Sequence, residues 1–177
     1  MRTNYRILCL LCALLLMAGC TKSLKGNSRE ELMKVAAAPY SFTGTVTMEG
    51  ISTPVKLMAT KSAAGLTVEL LEPEAVKGLM VEFSEDNIKT TYRGLVMNLS
   101  EKDIPQQSIF ISLREVLSAV PQKDGETEER DGLLTMSGKA GMVPYSLSWS
   151  TADLTLKTVK LPAVGGVIQV ESFQKIL

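Results

Sequence analysis

The chain has 177 residues, with 19 basic and 19 acidic side chains, three cysteines and no histidine. The missing histidine removes Ser-His-Asp and Cys-His triads and the usual zinc ligand sets. A formal net charge of zero supplies no basic field for nucleic acid.

The N-terminus reads as a secretory signal peptide over residues 1–19. Arg2 and Arg6 give a positive start, Ile7 to Met17 an unbroken apolar run, and Ala18-Gly19 a small pair before Cys20. The run is too short to cross a ~30 Å hydrocarbon core, which takes about 20 helical residues. With Cys20 directly after the small pair, the segment resembles a bacterial lipobox, with Met17 where that family prefers Leu. The resemblance implies a diacylglycerol on the Cys20 thiol, cleavage before it, and anchoring on the extracytoplasmic face of a bacterial membrane. The other two cysteines, Cys9 and Cys12, fall in the cleaved segment, so no disulfide and no Cys metal site is expected in the mature domain. Cleavage also leaves 17 basic residues against 19 acidic ones, with no polybasic patch to assist the acyl chains.

Residues 20–27 form a short polar tether that keeps the domain close to the membrane. Residues 28–177 read as a single domain. Ser28-Arg29-Glu30-Glu31 fits a capping box, Leu32, Val35 and Ala36 share a face, and Pro39 stops the helix.

From Tyr40 the period changes to alternation. Phe42, Gly44, Val46 and Met48 point one way, then Val55, Leu57 and Ala59, then Leu66, Val68 and Leu70. Leu79, Val81 and Phe83 follow, then Ile88, Thr90 and Tyr92, and, past an Arg93-Gly94 hairpin turn, Leu95, Met97 and Leu99. Six strands separated only by turns make an antiparallel meander. Leu79-Met80-Val81 and Leu95-Val96-Met97 are apolar on both faces, which predicts that part of the sheet is covered twice.

Ser108 to Val120 returns to helical spacing, with Ile109, Leu113, Val116, Leu117 and Val120 on one face, and Pro121 ends it. Glu126 to Arg130 reads as an exposed edge strand before an Asp131-Gly132 hairpin. Leu134 and Met136 follow, with Gly138 to Gly141 as a turn, and then Val143, Tyr145, Leu147 and Trp149 alternate with serines. Leu154 and Leu156 start a strand whose parity changes at Val159 and Leu161, which predicts a bulge. Gly165-Gly166 is read as the last hairpin and Val167 to Phe173 as the last strand. The fold class is therefore mainly β (α+β): ten or eleven strands in a curved antiparallel sheet, one N-terminal helix and one covering helix.

This order of elements resembles the LolA/LolB-like superfamily of lipoprotein carriers and the related lipid-binding lipoproteins of Gram-positive bacteria. The Leu71-Glu72-Pro73-Glu74 segment before Gly78-Leu79 is similar to a turn of that group. Leu147-Ser148-Trp149 with Asp153, then Val167 to Phe173, are similar to its closing strands. The resemblance implies an unclosed half-barrel with helices on its concave side, binding acyl chains or lipoproteins there, or a partner enzyme as in the clostridial germination lipoproteins. Unlike LolA the chain carries Cys20. Unlike LolB it shows no apolar exposed loop, since Glu85-Asp86-Asn87 and Gln122 to Gly132 are polar.

Other motifs lead nowhere chemical. Ser172-Phe173-Gln174-Lys175 spells Ser-x-x-Lys, which needs a helix N-terminus and sits here at the end of a strand. Asp124, Glu126, Glu128 and Asp131 do not match the EF-hand spacing. Nothing singles out a carboxylate pair for hydrolysis. The mature chain holds seven methionines, a side chain that adapts to irregular partners, although core packing is the commoner role of any one of them.

The reading is a membrane-anchored, non-enzymatic lipoprotein with no cofactor, holding a lipid, acyl chain or lipoprotein in its concave face, or filling that face with its own covering helix. Candidate lining residues are Leu66, Val68, Leu79, Val81, Phe83, Tyr92, Met97, Phe110, Leu113, Leu117 and Trp149. The alternative is a protein-binding module for an envelope or spore-cortex enzyme, using the sheet edge or the acidic Glu126, Glu128 and Glu129.

Overall fold

The computed structural model describes residues 26–84, 87–105, 108–119 and 125–176. Residues 1–25, which hold the expected signal peptide, Cys20 and most of the expected tether, lie outside the described residues, as do Glu85-Asp86 and Val120 to Asp124; the last two tether positions, Gly26 and Asn27, belong instead to the first helix.

Helix α1 (Gly26–Ala37) leads into β1 (Tyr40–Met48), β2 (Ile51–Ser62), β3 (Gly65–Glu72), β4 (Met80–Phe83), β5 (Ile88–Tyr92) and β6 (Leu95–Leu99). Helix α2 (Ile109–Ala119) then crosses over to β7 (Glu126–Arg130), β8 (Leu133–Ala140), β9 (Val143–Ser150), β10 (Leu156–Leu161) and β11 (Gly166–Lys175). All eleven strands form one sheet, ordered β6-β5-β4-β3-β2-β1-β11-β10-β9-β8-β7. Every pairing is antiparallel. The first and last strands meet at the centre, and the sheet stays open between β6 and β7. It is a half-barrel.

The alternation read from the sequence places the apolar set on the concave side. Tyr40, Phe42 and Val46, then Leu57 and Ala59, then Leu66, Val68 and Leu70 are all buried. Across the centre, Leu134, Met136, Tyr145, Leu147 and Trp149 continue the same surface. Each of the Val, Leu, Phe and Met side chains among them contributes about 1.5–3 kcal/mol on leaving water. The convex side is a hydroxyl surface, with Thr43 and Ser172 at 2.7 Å, Thr135 and Ser148 at 3.0 Å, and Ser137 donating to Ser146 at 3.1 Å.

The turns explain the register. Arg93 and Gly94 have φ of 49° and 83°, and Asp131 and Gly132 have 52° and 76°. Two positive φ angles in a row give the hairpin turn whose twist matches the strands on either side. The expected bulge lies in β10, where the register against β9 shifts between Leu156 and Thr158.

Several expectations are corrected. The N-terminal helix starts at Gly26, so Ser28 is not its first cap. A capping box marks a start only where the preceding chain leaves helical angles, and Gly26-Asn27 do not. Gly138 lies inside β8, opposite Tyr145, whose ring occupies the space a side chain would need; the turn is Gly141-Met142. Leu154 belongs to the turn before β10, with φ of 56°. The last hairpin turns through Pro162–Val164 and Gly165, while Gly166 is already paired with Leu161. Finally, Leu95, Val96 and Met97 are not covered twice; they are exposed at 68%, 57% and 50%. Being apolar on both faces is there the mark of an uncovered edge.

Candidate functional site

The candidate lining residues divide by place. Leu66, Val68, Val81, Phe83, Leu113, Leu117 and Trp149 are brought together in the buried core. Leu79 and Phe110 are half-buried against that core. Tyr92 is half-buried, and its hydroxyl donates to the carbonyl of Ala75. Met97 stands apart on β6, open to solvent.

Two helices occupy the concave side. α1 contributes Leu32 and Ala36, and α2 contributes Ile111, Leu113, Val116 and Leu117, all buried. Ser108 starts α2 by accepting the Ile111 amide on its hydroxyl at 3.2 Å, the bond an N-cap makes. The backbone of α2 rests on β8, β9 and β10 and on the turn at Pro162–Val164. Towards β2, β3 and β4 a cleft of about 440 Å³ remains.

The cleft is built by three features. Gly65, with φ of 135°, lets the β2–β3 turn press on β4; a Cβ there would lie 1.8 Å from the Phe83 carbonyl oxygen. Lys61, at the end of β2, donates from Nζ to the carbonyl of Ala36 at 2.8 Å, neutralising the last turn of α1. Its ammonium also lies 5.6 Å from the centre of the Tyr40 ring. Arg114, on α2, stacks over Phe83 at 5.6 Å and pairs with Glu115 at 2.8 Å. Burial lowers the Lys61 pKa from its ordinary value, because the charged form loses hydration there. Burial raises the Tyr40 phenol for the mirror reason.

Beside Lys61 lies an aromatic cluster that sequence reading did not assemble. The ring centres of Tyr40 and Phe173 are 5.2 Å apart, and Trp149 meets both edge-on at 6.1 and 5.7 Å. Phe173 reaches the concave side because a bulge between Thr43 and Gly44 resets the β1–β11 register. Long-range strand pairing alone brings positions 40, 149 and 173 together, so local pattern carries no signal for it.

The two edges differ. Glu126, Glu128 and Glu129 lie exposed on β7, as expected of an edge strand. A shallow groove there is lined by Glu126, Thr127, Glu128, Thr135 and Ser137. Asp153 accepts two bonds from Thr155 in the β9–β10 turn, at 3.2 and 2.7 Å, which makes it a turn former. Hydrogen bonds from Ser150 and Thr155 bring its pKa down to about 2. Among the described residues no group of three or more Asp, Glu, His or Cys is placed to hold a metal.

Six strands in a meander, a crossing helix, five returning strands and a closing β11–β1 pair reproduce the topology that the sequence resemblance implied. The architecture is the open half-barrel that this resemblance implied. Solved structures share it at low sequence identity. An uncharacterized conserved protein from Thermus thermophilus is 13% identical at TM-score 0.55, over 85% of this chain and 86% of that one. A LolA superfamily protein from Nitrosomonas europaea is 8% identical at TM-score 0.41, over 84% and 93%. A chain in the complex of the CwlD amidase with the GerS lipoprotein from Clostridioides difficile is 13% identical at TM-score 0.43, over 89% and 95%. By sequence, the chain matches no protein-family model and no curated protein. The LolA-like likeness is one of fold.

Proposed function

We propose that this chain is a non-enzymatic bacterial lipoprotein, exported and held at the membrane by acyl chains on Cys20. Its work is to bury an acyl chain, a lipid or the lipid moiety of a lipoprotein against the concave face. The observation that carries this reading is the cleft beside α2. The concave surface is apolar from β1 through β5, yet the α2 backbone rests on β8 to β10. A chain sliding between α2 and β2 to β4 would meet Leu66 and Phe83 first and leave the α2 seat on β8 to β10 in place. The driving force is burial, about 25 cal/mol per Å² removed from water. No covalent step is needed, and the chain has no histidine to perform one in the usual ways.

Native mass spectrometry of the full chain, made in a host that acylates lipoproteins, tests the reading. The expected spectrum carries a dissociable lipid in addition to the covalent acyl mass. Protein free of such lipid, with no uptake of a fluorescent fatty acid, contradicts it. Cys20→Ala is expected to move the protein out of the membrane fraction.

A second reading has its own observation in the edge β6, a strand paired with β5 on one side only, which exposes Leu95, Val96 and Met97. Such an edge can receive a strand of another protein, and β7 offers an acidic alternative. The partner in this reading is an envelope or spore-cortex enzyme. Pull-downs from envelope extracts with Val96→Lys, and separately with charge reversal at Glu126, Glu128 and Glu129, test it. Unchanged partners in both would contradict it.

A further inference from the structure

We propose that the cleft between α2 and the β2–β4 strand ends is a head-group site for an anionic single-chain amphiphile, bearing either a carboxylate or a phosphate monoester. The proposal rests on the reading that an apolar chain enters beside α2, and it names the chemistry at the end of that chain.

Three observations converge. First, the cleft is of ligand size, about 440 Å³. Second, its charge is one-sided: Lys61 and Arg114 line it, and none of its described lining residues is acidic. Glu85 and Asp86, which follow Ser84 in the chain, lie outside the described residues. Third, cation and apolar surface are adjacent. Leu66 and Phe83 line the same cleft and continue into the buried concave face, and the Arg114 guanidinium lies over the Phe83 ring.

That order, charge at the rim and hydrocarbon behind it, is the order of atoms in a fatty acid or an alkyl phosphate. Neither cation is free. Lys61 holds the Ala36 carbonyl and Arg114 holds Glu115. These partners keep the two side chains in place at the rim, and an arriving anion shares the donors of a five-donor guanidinium and a three-donor ammonium. Because Lys61 is partly desolvated, an anion beside it restores what burial removed. The Ser118 side chain, exposed on α2 one turn beyond Arg114, adds a hydroxyl to the same wall.

The test uses the full chain in phosphatidylcholine nanodiscs, titrated with hexyl phosphate, hexanoate and hexanol while the amide signals of Gly65, Leu66 and Ser118 are followed. At least one anion is expected to bind about tenfold more tightly than hexanol, the gain of one charge-assisted contact. The phosphate and carboxylate arms identify which head group is preferred. Arg114→Gln is expected to remove most of that preference and leave the hexanol affinity as it was, and Arg114→Lys to retain much of it. Should Arg114→Gln fail to fold, Ser118→Asp adds a negative charge at an exposed position and is expected to weaken the anions alone. Equal affinities for hexanol and both anions would overturn the head-group site while leaving apolar binding intact. Absence of binding by all three would overturn both. Anion affinity unmoved by Ser118→Asp would place the anion elsewhere and overturn the site.

Discussion

The two flanks of the half-barrel bury similar side chains yet are finished differently. On the C-terminal flank, α2 lies on β8 to β10, Trp149 is enclosed by aromatic neighbours, and the outer strand β7 is charged. On the N-terminal flank, a cleft opens beside α2 at the ends of β2 to β4, bridged by Arg114 over Phe83, and the outer strand β6 exposes three apolar residues in a row. Charged edges resist pairing with other chains, and apolar edges invite it. The C-terminal flank is built as a support, and the two apolar features that could meet another molecule fall on the other side, leaving β7 an acidic surface only. The difference also locates freedom: a ligand on the N-terminal flank leaves the helix seat on the other flank undisturbed.

The largest expected effect tests the support. Trp149→Ala should destabilise the chain by about 3–5 kcal/mol in urea unfolding, as loss of a buried large side chain does. A cost below about 1 kcal/mol would remove the distinction between the flanks. Next, Gly65→Ala should cost roughly 1–3 kcal/mol, since it adds a side chain at a positive φ and against the Phe83 carbonyl. It should also disturb the cleft signals while leaving those of β8 to β10 in place.

The seam between the flanks is expected to respond to pH. The Tyr40 pKa is raised by burial, so its contribution is whole below the unfolded value near 10 and is lost as the pH rises beyond it. The Lys61 pKa is lowered, so in the window below its unfolded value, about 10.4, stability instead rises with pH. Above that value the Tyr40 term remains, with a slope of up to about 1.4 kcal/mol per pH unit. Tyr40→Phe should flatten this alkaline limb; a limb of unchanged slope would show that Tyr40 ionises freely in the folded state.

Smaller still, Val96→Lys on β6 should leave stability within about 0.5 kcal/mol. It should reduce concentration-dependent association in sedimentation experiments, whereas Thr127→Lys on β7 should not. Smallest is Asp153→Asn. With its folded pKa depressed to about 2, the carboxylate stabilises above its unfolded value near 3.9, and that support fades as pH falls. The variant should show a shallower loss of stability between about pH 4 and 2.

Much of the fold was legible in the residues. Period-two alternation located the strands, and Arg93-Gly94 and Asp131-Gly132 announced two hairpins that appear with both φ angles positive. The parity change at Val159 announced the β10 bulge. Legibility ended where a local pattern has two physical causes. Leu95-Val96-Met97 reads as a strand buried on both faces or as a bare edge, and only the strand order decides. Gly138 reads as a turn until Tyr145 is found beside it. The cleft was least legible. Lys61 and Arg114 stand 53 positions apart, and an isolated Lys or Arg in sequence signals a solvated surface. Their convergence depends on where α2 comes to rest.

Trp149 is the only tryptophan in the chain and lies on the buried concave face. Energy transfer from it to a fluorescent fatty acid therefore reports occupancy of that face directly. With the full chain in nanodiscs, saturable transfer is expected, and an unlabelled fatty acid should abolish it by competition. Transfer no greater than that from free tryptophan in the same nanodiscs, and unaffected by competitor, would contradict it.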